Sequence, residues 1–190
     1  MKITILIFMA FIHSKCLAQS LKPKSISFSY FGETITHPGF KFGLNYQIKG
    51  WNSIKDDGQE IKKNIQLSAN IGFFYHKNYQ TGLFILPILS YKRQKENGNF
   101  RAIGIGTGYL RSIIPNVYEL KMDGNYDKIN AKNNYFLTNY NISFGKNLSI
   151  KHKIPIEYFV KPQLLVASPN TPNGVKYFVL EIGVNFNLKK

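Results

Sequence analysis

From Ser25 to Leu188 apolar side chains recur at every second position, with small or polar residues between them. That period puts alternate residues on opposite faces of an extended chain, and no window repeats at helical spacing, so the sequence reads as strands throughout. Eight segments are predicted, over 24–32, 39–49, 62–77, 80–95, 98–112, 133–146, 153–167 and 174–188. The last shows the pattern most clearly. Phe178, Leu180, Ile182, Val184, Phe186 and Leu188 share one face, while Tyr177, Glu181, Gly183, Asn185 and Asn187 share the other. The fourth is ambiguous, because Phe84, Leu86 and Ile88 alternate with Leu83, Ile85 and Leu89 and leave both faces apolar. Pro87 and Pro162 fall inside segments, where each removes a ladder hydrogen bond from a sheet with no spare edge. A bulge is predicted near each of them.

Most of the segments are long. An ordinary strand has about 5–6 residues, and one that crosses a bilayer at a tilt has about 9–11. Alternation alone fits a soluble lipocalin-like barrel with its apolar face inward as well as a membrane barrel with that face outward. Volume separates the two. One set of faces collects Phe28, Phe40, Phe42, Phe73, Phe136, Phe144, Tyr158 and Phe178, and these do not fit a lumen only wide enough for side chains to fill. The other set carries Ser25, Ser27, Ser29, Gly43, Asn45, Ser68, Asn70, Gly104, Gly106, Gly108, Asn141 and Ser143. These are small, mostly neutral residues, with fewer charges than a water-facing surface needs. The fold class expected is therefore all-β, an eight-stranded antiparallel up-and-down transmembrane β-barrel. Tyr30, Tyr75, Tyr91, Tyr109 and Tyr177, near segment ends, suit the aromatic girdles of such a barrel.

Composition refines this picture. Lys+Arg number 25 against 10 Asp+Glu, a net charge of +15, yet only 18% of the 190 residues are charged. The excess reflects scarce acids rather than dense bases, so no nucleic-acid partner is expected. Lys2, an apolar run over 3–12 and the small residues before Gln19 read as a signal peptide over 1–18, with the barrel domain over 19–190. Cleavage after Ala18 removes Cys16, the single cysteine, and with it disulfide, thiol and Cys-based metal chemistry.

Three features together carry a family resemblance: the leader ending Leu17-Ala18-Gln19, the hairpin from Tyr30 through Thr36-His37-Pro38-Gly39 to Phe40, and the terminal strand Tyr177 to Leu188. With them the chain resembles the small eight-stranded outer-membrane β-barrels of Gram-negative bacteria, in particular those of Bacteroidota. It departs from their common aromatic C-terminus by continuing past Phe186. The resemblance implies an outer-membrane location with both termini in the periplasm. The connections after segments one, three, five and seven then face outward, and 113–132 is the longest of them. On the opposite side, 50–61 is an unusually long turn.

Candidate chemistry is sparse. Folding segments seven and eight about the 168–173 connection sets Lys161 opposite Glu181 on the inward face, an expected interior ion pair that Lys41 and Glu157 join. Glu33, His37 and His76 fall at one rim and form a weak candidate site for a metal or an acid–base pair, although ordinary turn and strand-end positions explain them as well. Lipid A deacylases carry a His and a Ser two apart, whereas His37, His76 and His152 are followed at that spacing by Gly39, Asn78 and Ile154. No catalytic constellation and no cofactor are expected. The leading functional expectation is a non-enzymatic barrel with a structural or surface-interaction role. An envelope-lipid-modifying enzyme, a narrow pore or small-ligand binder, and a soluble lipocalin-like barrel stand as alternatives. The partners expected are outer-membrane lipid and, through the external loops, surface polysaccharide or another envelope protein, with the chain itself a monomer.

Overall fold

The structure, a computed structural model, describes residues 22–32, 38–54, 58–76, 80–120, 125–169 and 174–188, so the expected leader lies outside the described residues. Eight strands follow one another: β1 (Ser25–Gly32), β2 (Gly39–Ile54), β3 (Glu60–His76), β4 (Gln80–Lys95), β5 (Asn99–Leu120), β6 (Tyr126–Asn147), β7 (Ile156–Ser168) and β8 (Val175–Asn187). Each pairs antiparallel with its sequence neighbour, and β1 closes the ring against β8, with Ser25 opposite Asn187 and Tyr30 opposite Ile182. Closure removes the two exposed edges that a flat sheet of these strands would leave.

Two of the hairpins differ from the expected segments. β2 and β3 stay paired from Gln47–Gln66 out to Ile54–Glu60, so most of the turn expected at 50–61 is ladder. β5 and β6 likewise stay paired to Leu120–Tyr126, turning the expected 113–132 loop into a two-stranded ribbon. Alternation weakens there in the sequence because a ribbon beyond the barrel has no lumen against which to sort its faces. The register shifts lie between Gln47 and Lys49 on β2 and between Ile114 and Val117 on β5, the second spanning Pro115. No bulge accompanies Pro87 or Pro162. The β4–β5 pairing skips from Ile85–Tyr109 to Ile88–Gly106, and the β6–β7 pairing from Asn141–Gln163 to Phe144–Val160, each resuming in unchanged register. Each proline keeps its partner on the other side, Ala69 for Pro87 and Leu180 for Pro162. The missing N–H is thus absorbed as a local gap in one ladder rather than as an inserted residue.

The faces sort as the volume argument requires. Phe28, Phe40, Phe42, Phe73, Phe136, Phe144, Tyr158 and Phe178 are exposed on the outside, together with Ile71, Leu83, Ile85, Ile103, Ile105 and Ile182. The arrangement with an aromatic face lining a ligand cavity is therefore not the one the chain adopts. The interior is not uniformly small and polar, however. Toward the β1–β2 and β7–β8 turns it is filled by an apolar cluster of Phe31, Phe74, Phe84, Leu86, Leu110, Leu137, Leu165 and Val179, all nearly inaccessible. The ring centroids of Phe31 and Phe84 are 4.8 Å apart. This resolves the ambiguity of β4, whose Phe84, Leu86 and Ile88 are buried inside while Leu83, Ile85 and Leu89 are exposed outside. Tyr177, expected in an outer girdle, also turns inward, with its ring 6.2 Å from that of Phe74 and its hydroxyl accepting a hydrogen bond from Gln80.

Candidate functional site: the polar half of the barrel interior

Below the apolar cluster, toward the end where β1 begins and β8 finishes, the inward positions become polar. The first layer centres on Glu181 of β8. Its carboxylate accepts hydrogen bonds from Lys41 Nζ of β2 at 2.5 Å, Ser29 Oγ of β1 at 2.8 Å and Gln163 Nε2 of β7 at 3.0 Å. Lys161, paired with Glu181 in the β7–β8 register, brings its Nζ to 3.5 Å from the same oxygen that Lys41 holds. Gln163 is held in turn by Asn139 Nδ2 at 2.8 Å, and Asn139 accepts from Asn141 at 2.6 Å. Four strands are thus tied to one carboxylate, directly or through its immediate partners. A buried anion is tolerable on these terms, with opposite charge and saturated lone pairs in place of water.

Lys41 thus joins the pair expected from the sequence, but Glu157 does not. Glu157 lies four positions from Lys161 on β7, a separation of about 13 Å along a strand, too far for its carboxylate to reach Glu181's cluster. Its partner is Lys92 of β4, which donates to both carboxylate oxygens at 2.6 and 2.5 Å, and Asn185 Nδ2 adds a third bond at 2.9 Å. The interior therefore holds two charge clusters at different heights rather than one network. Lys92 was not legible from the sequence because both faces of its strand look apolar over 83–89; its position on the parity of Ser90 and Gln94 was the available signal.

Between these clusters and the barrel end lies a chamber of about 680 Å³, lined by residues including Ser27, Asn45, Asn64, Gln66, Ser90, Lys92, Phe100, Ser143, Glu157, Phe159, Lys161 and Asn185. Its walls are threaded by hydrogen bonds from Ser68 to Asn45 and from Asn45 to Ser25. Lys24 bonds Gln47 at the mouth. Lys92 lies 3.9 Å over the ring of Phe100 and Lys161 lies 4.7 Å over that of Phe159, so both ammonium groups rest on aromatic faces.

The rim site is not assembled by the described residues. Glu33 and His37 lie outside them, and His76 sits half-buried at the end of β3. Among the described residues no three His, Cys, Asp or Glu side chains group as metal ligands.

No protein-family profile and no curated protein matches this chain. Among solved structures it is similar to the β-domain of the Bordetella autotransporter BrkA, with 12% identity, 86% of this chain and 68% of that one covered, and a TM-score of 0.42. It is also similar to the NanC porin, with 9% identity, 87% of this chain and 100% of that one covered, and a TM-score of 0.21. The architecture given above rests on the strand pairing of this chain itself.

Proposed function

We propose that this chain is an outer-membrane β-barrel with a structural or surface-interaction role and no catalytic activity. The observation that carries the reading is the closed ring of eight strands with its aromatic and aliphatic residues turned outward. An exposed apolar surface running around a whole barrel is far larger than a water-soluble monomer tolerates, and lipid is the solvent that suits it. The packing of one half of the interior supports a closed barrel rather than a pore: the apolar cluster around Phe31 and Phe84 occupies the lumen toward the β1–β2 and β7–β8 turns. Both interior carboxylates are held by lysines, an arrangement that favours structural pairing over proton transfer.

Fractionation of a Gram-negative host expressing the chain tests the proposal. The expected result is recovery in the outer-membrane fraction, with a shift in gel migration between unheated and boiled samples, because a closed barrel resists detergent until heated. Recovery in the soluble periplasm or the medium would overturn it.

A further inference from the structure

We propose that the polar chamber is a binding site for a small hydroxylated anion of monosaccharide size, a sugar acid or a sugar phosphate. The first ground is charge. The interior holds three lysines, Lys41, Lys92 and Lys161, against two glutamates, Glu157 and Glu181. Lys92 and Glu157 neutralise each other, and Lys41 sits closest to Glu181, so Lys161 is the cation left over. Of the two lysines on Glu181 it is also the one that faces the chamber: its side chain is 17% accessible, while those of Lys41 and Glu181 are at 1% and 0%. A partly desolvated ammonium with half a counter-ion is stabilised by an anion bound beside it.

The second ground is the wall. Lys161 and Lys92 are joined there by serine hydroxyls and by carboxamides, among them Asn64 and Gln66. Asn64 Oδ1 is buried with no hydrogen-bond partner among the described residues, an acceptor lacking a donor. Rotation of this carboxamide toward the chamber would offer that oxygen to a ligand hydroxyl. The third is size. A chamber of about 680 Å³ falls within the range of about 300–1,000 Å³ typical of small-molecule sites. The rings of Phe100 and Phe159 hold the two lysines in place and leave the hydroxyl and amide groups to read the ligand. This inference does not depend on where the barrel resides, since a soluble barrel with this interior presents the same chamber.

The test is isothermal titration calorimetry on the folded full-length protein, in detergent micelles or in buffer according to how it fractionates, at constant sodium chloride. Glucuronate, glucose 6-phosphate and neutral glucose are the titrants. The expected result is saturable one-to-one binding of at least one of the two anions, the better of them naming the acid or the phosphate as the preferred group, with glucose about tenfold weaker or more. Lys161→Gln is expected to weaken the anion by about tenfold. Gln66→Glu, at a chamber-wall position whose ladder partners Gln47 and Ser90 carry no charge, sets a negative charge on the wall, is expected to do the same and keeps the test valid if the lysine variant does not fold. Equal affinity for glucose and the anions, no saturable heat with either anion, or unchanged anion affinity in Gln66→Glu would overturn the proposal. Recovery of a soluble protein that still binds would overturn the membrane reading alone.

Discussion

Lys92 and Glu157 meet across the lumen from strands that do not touch, β4 and β7, through two hydrogen bonds of 2.6 and 2.5 Å. A bond that spans the ring resists its flattening in a way that a pair between neighbouring strands does not. Removing one member leaves the other buried beside an aromatic ring without a counter-charge. Glu157→Gln is expected to lower unfolding stability in urea by about 3 kcal/mol, and the paired replacement Lys92→Met with Glu157→Leu to restore most of it. A single variant within about 0.5 kcal/mol of the parent would show that water in the chamber screens the pair.

Lys41 and Lys161 share one oxygen of Glu181 but not equally, at 2.5 and 3.5 Å. Lys41→Ala deprives the carboxylate of its close partner and is expected to lower the unfolding midpoint more than Lys161→Ala, which leaves that partner in place. Neither variant is expected to conduct in a planar bilayer, because the apolar cluster around Phe31, Phe84 and Leu137 occupies the lumen independently of the charges. An unchanged midpoint in both variants would mean that the cluster contributes no stability.

The legible and illegible parts of this fold divide along physical lines. Strand number, order and outward face follow from a period of two, which every strand obeys where a lumen and an outer surface compete for its side chains. Lys161 and Glu181 are placed opposite each other by a short connection, which fixes register locally. Lys92 and Glu157 are joined only by closure of the whole ring, a relationship that no stretch of sequence contains. The apolar cluster went unread for a related reason: Phe31, Phe74 and Phe84 share the parity of the small interior residues, and aromatic character alone suggests the outside. The chamber is what remains when those rings crowd into one half of the barrel.

Gly108 of β5 shows why the lumen carries glycine where β4 passes. An added Cβ there would sit 2.1 Å from the carbonyl oxygen of Ile85 and 3.0 Å from the Cα of Leu86, both backbone atoms, beside the ladder gap at Pro87. The neighbouring strand cannot give way as a flexible side chain would. Gly108→Ala is expected to cost about 1–3 kcal/mol in urea unfolding, while Thr107→Ala, on the exposed face next to it, stays close to the parent. Equal effects at the two positions would mean that β4 and β5 separate freely at the gap.

Ile85 offers the sharpest separation between lipid and water outside the barrel. It is 58% exposed, with Ile71 of β3 and Tyr109 of β5 beside it in register, both also exposed. An arginine on the lipid face of a membrane barrel costs about 2–4 kcal/mol near the bilayer midplane, since its charge must be hydrated or dragged to the interface. The same change on a water-facing surface stays within about 0.5 kcal/mol. Ile85→Arg, refolded into phosphatidylcholine vesicles and titrated with urea, is therefore expected to lose at least the smaller membrane figure relative to the parent. In detergent micelles, where the arginine head reaches water easily, the loss is expected to shrink. Equal and negligible losses in both media would mean that this surface does not contact hydrocarbon, and the outward aromatic belt would then have to be covered by another protein.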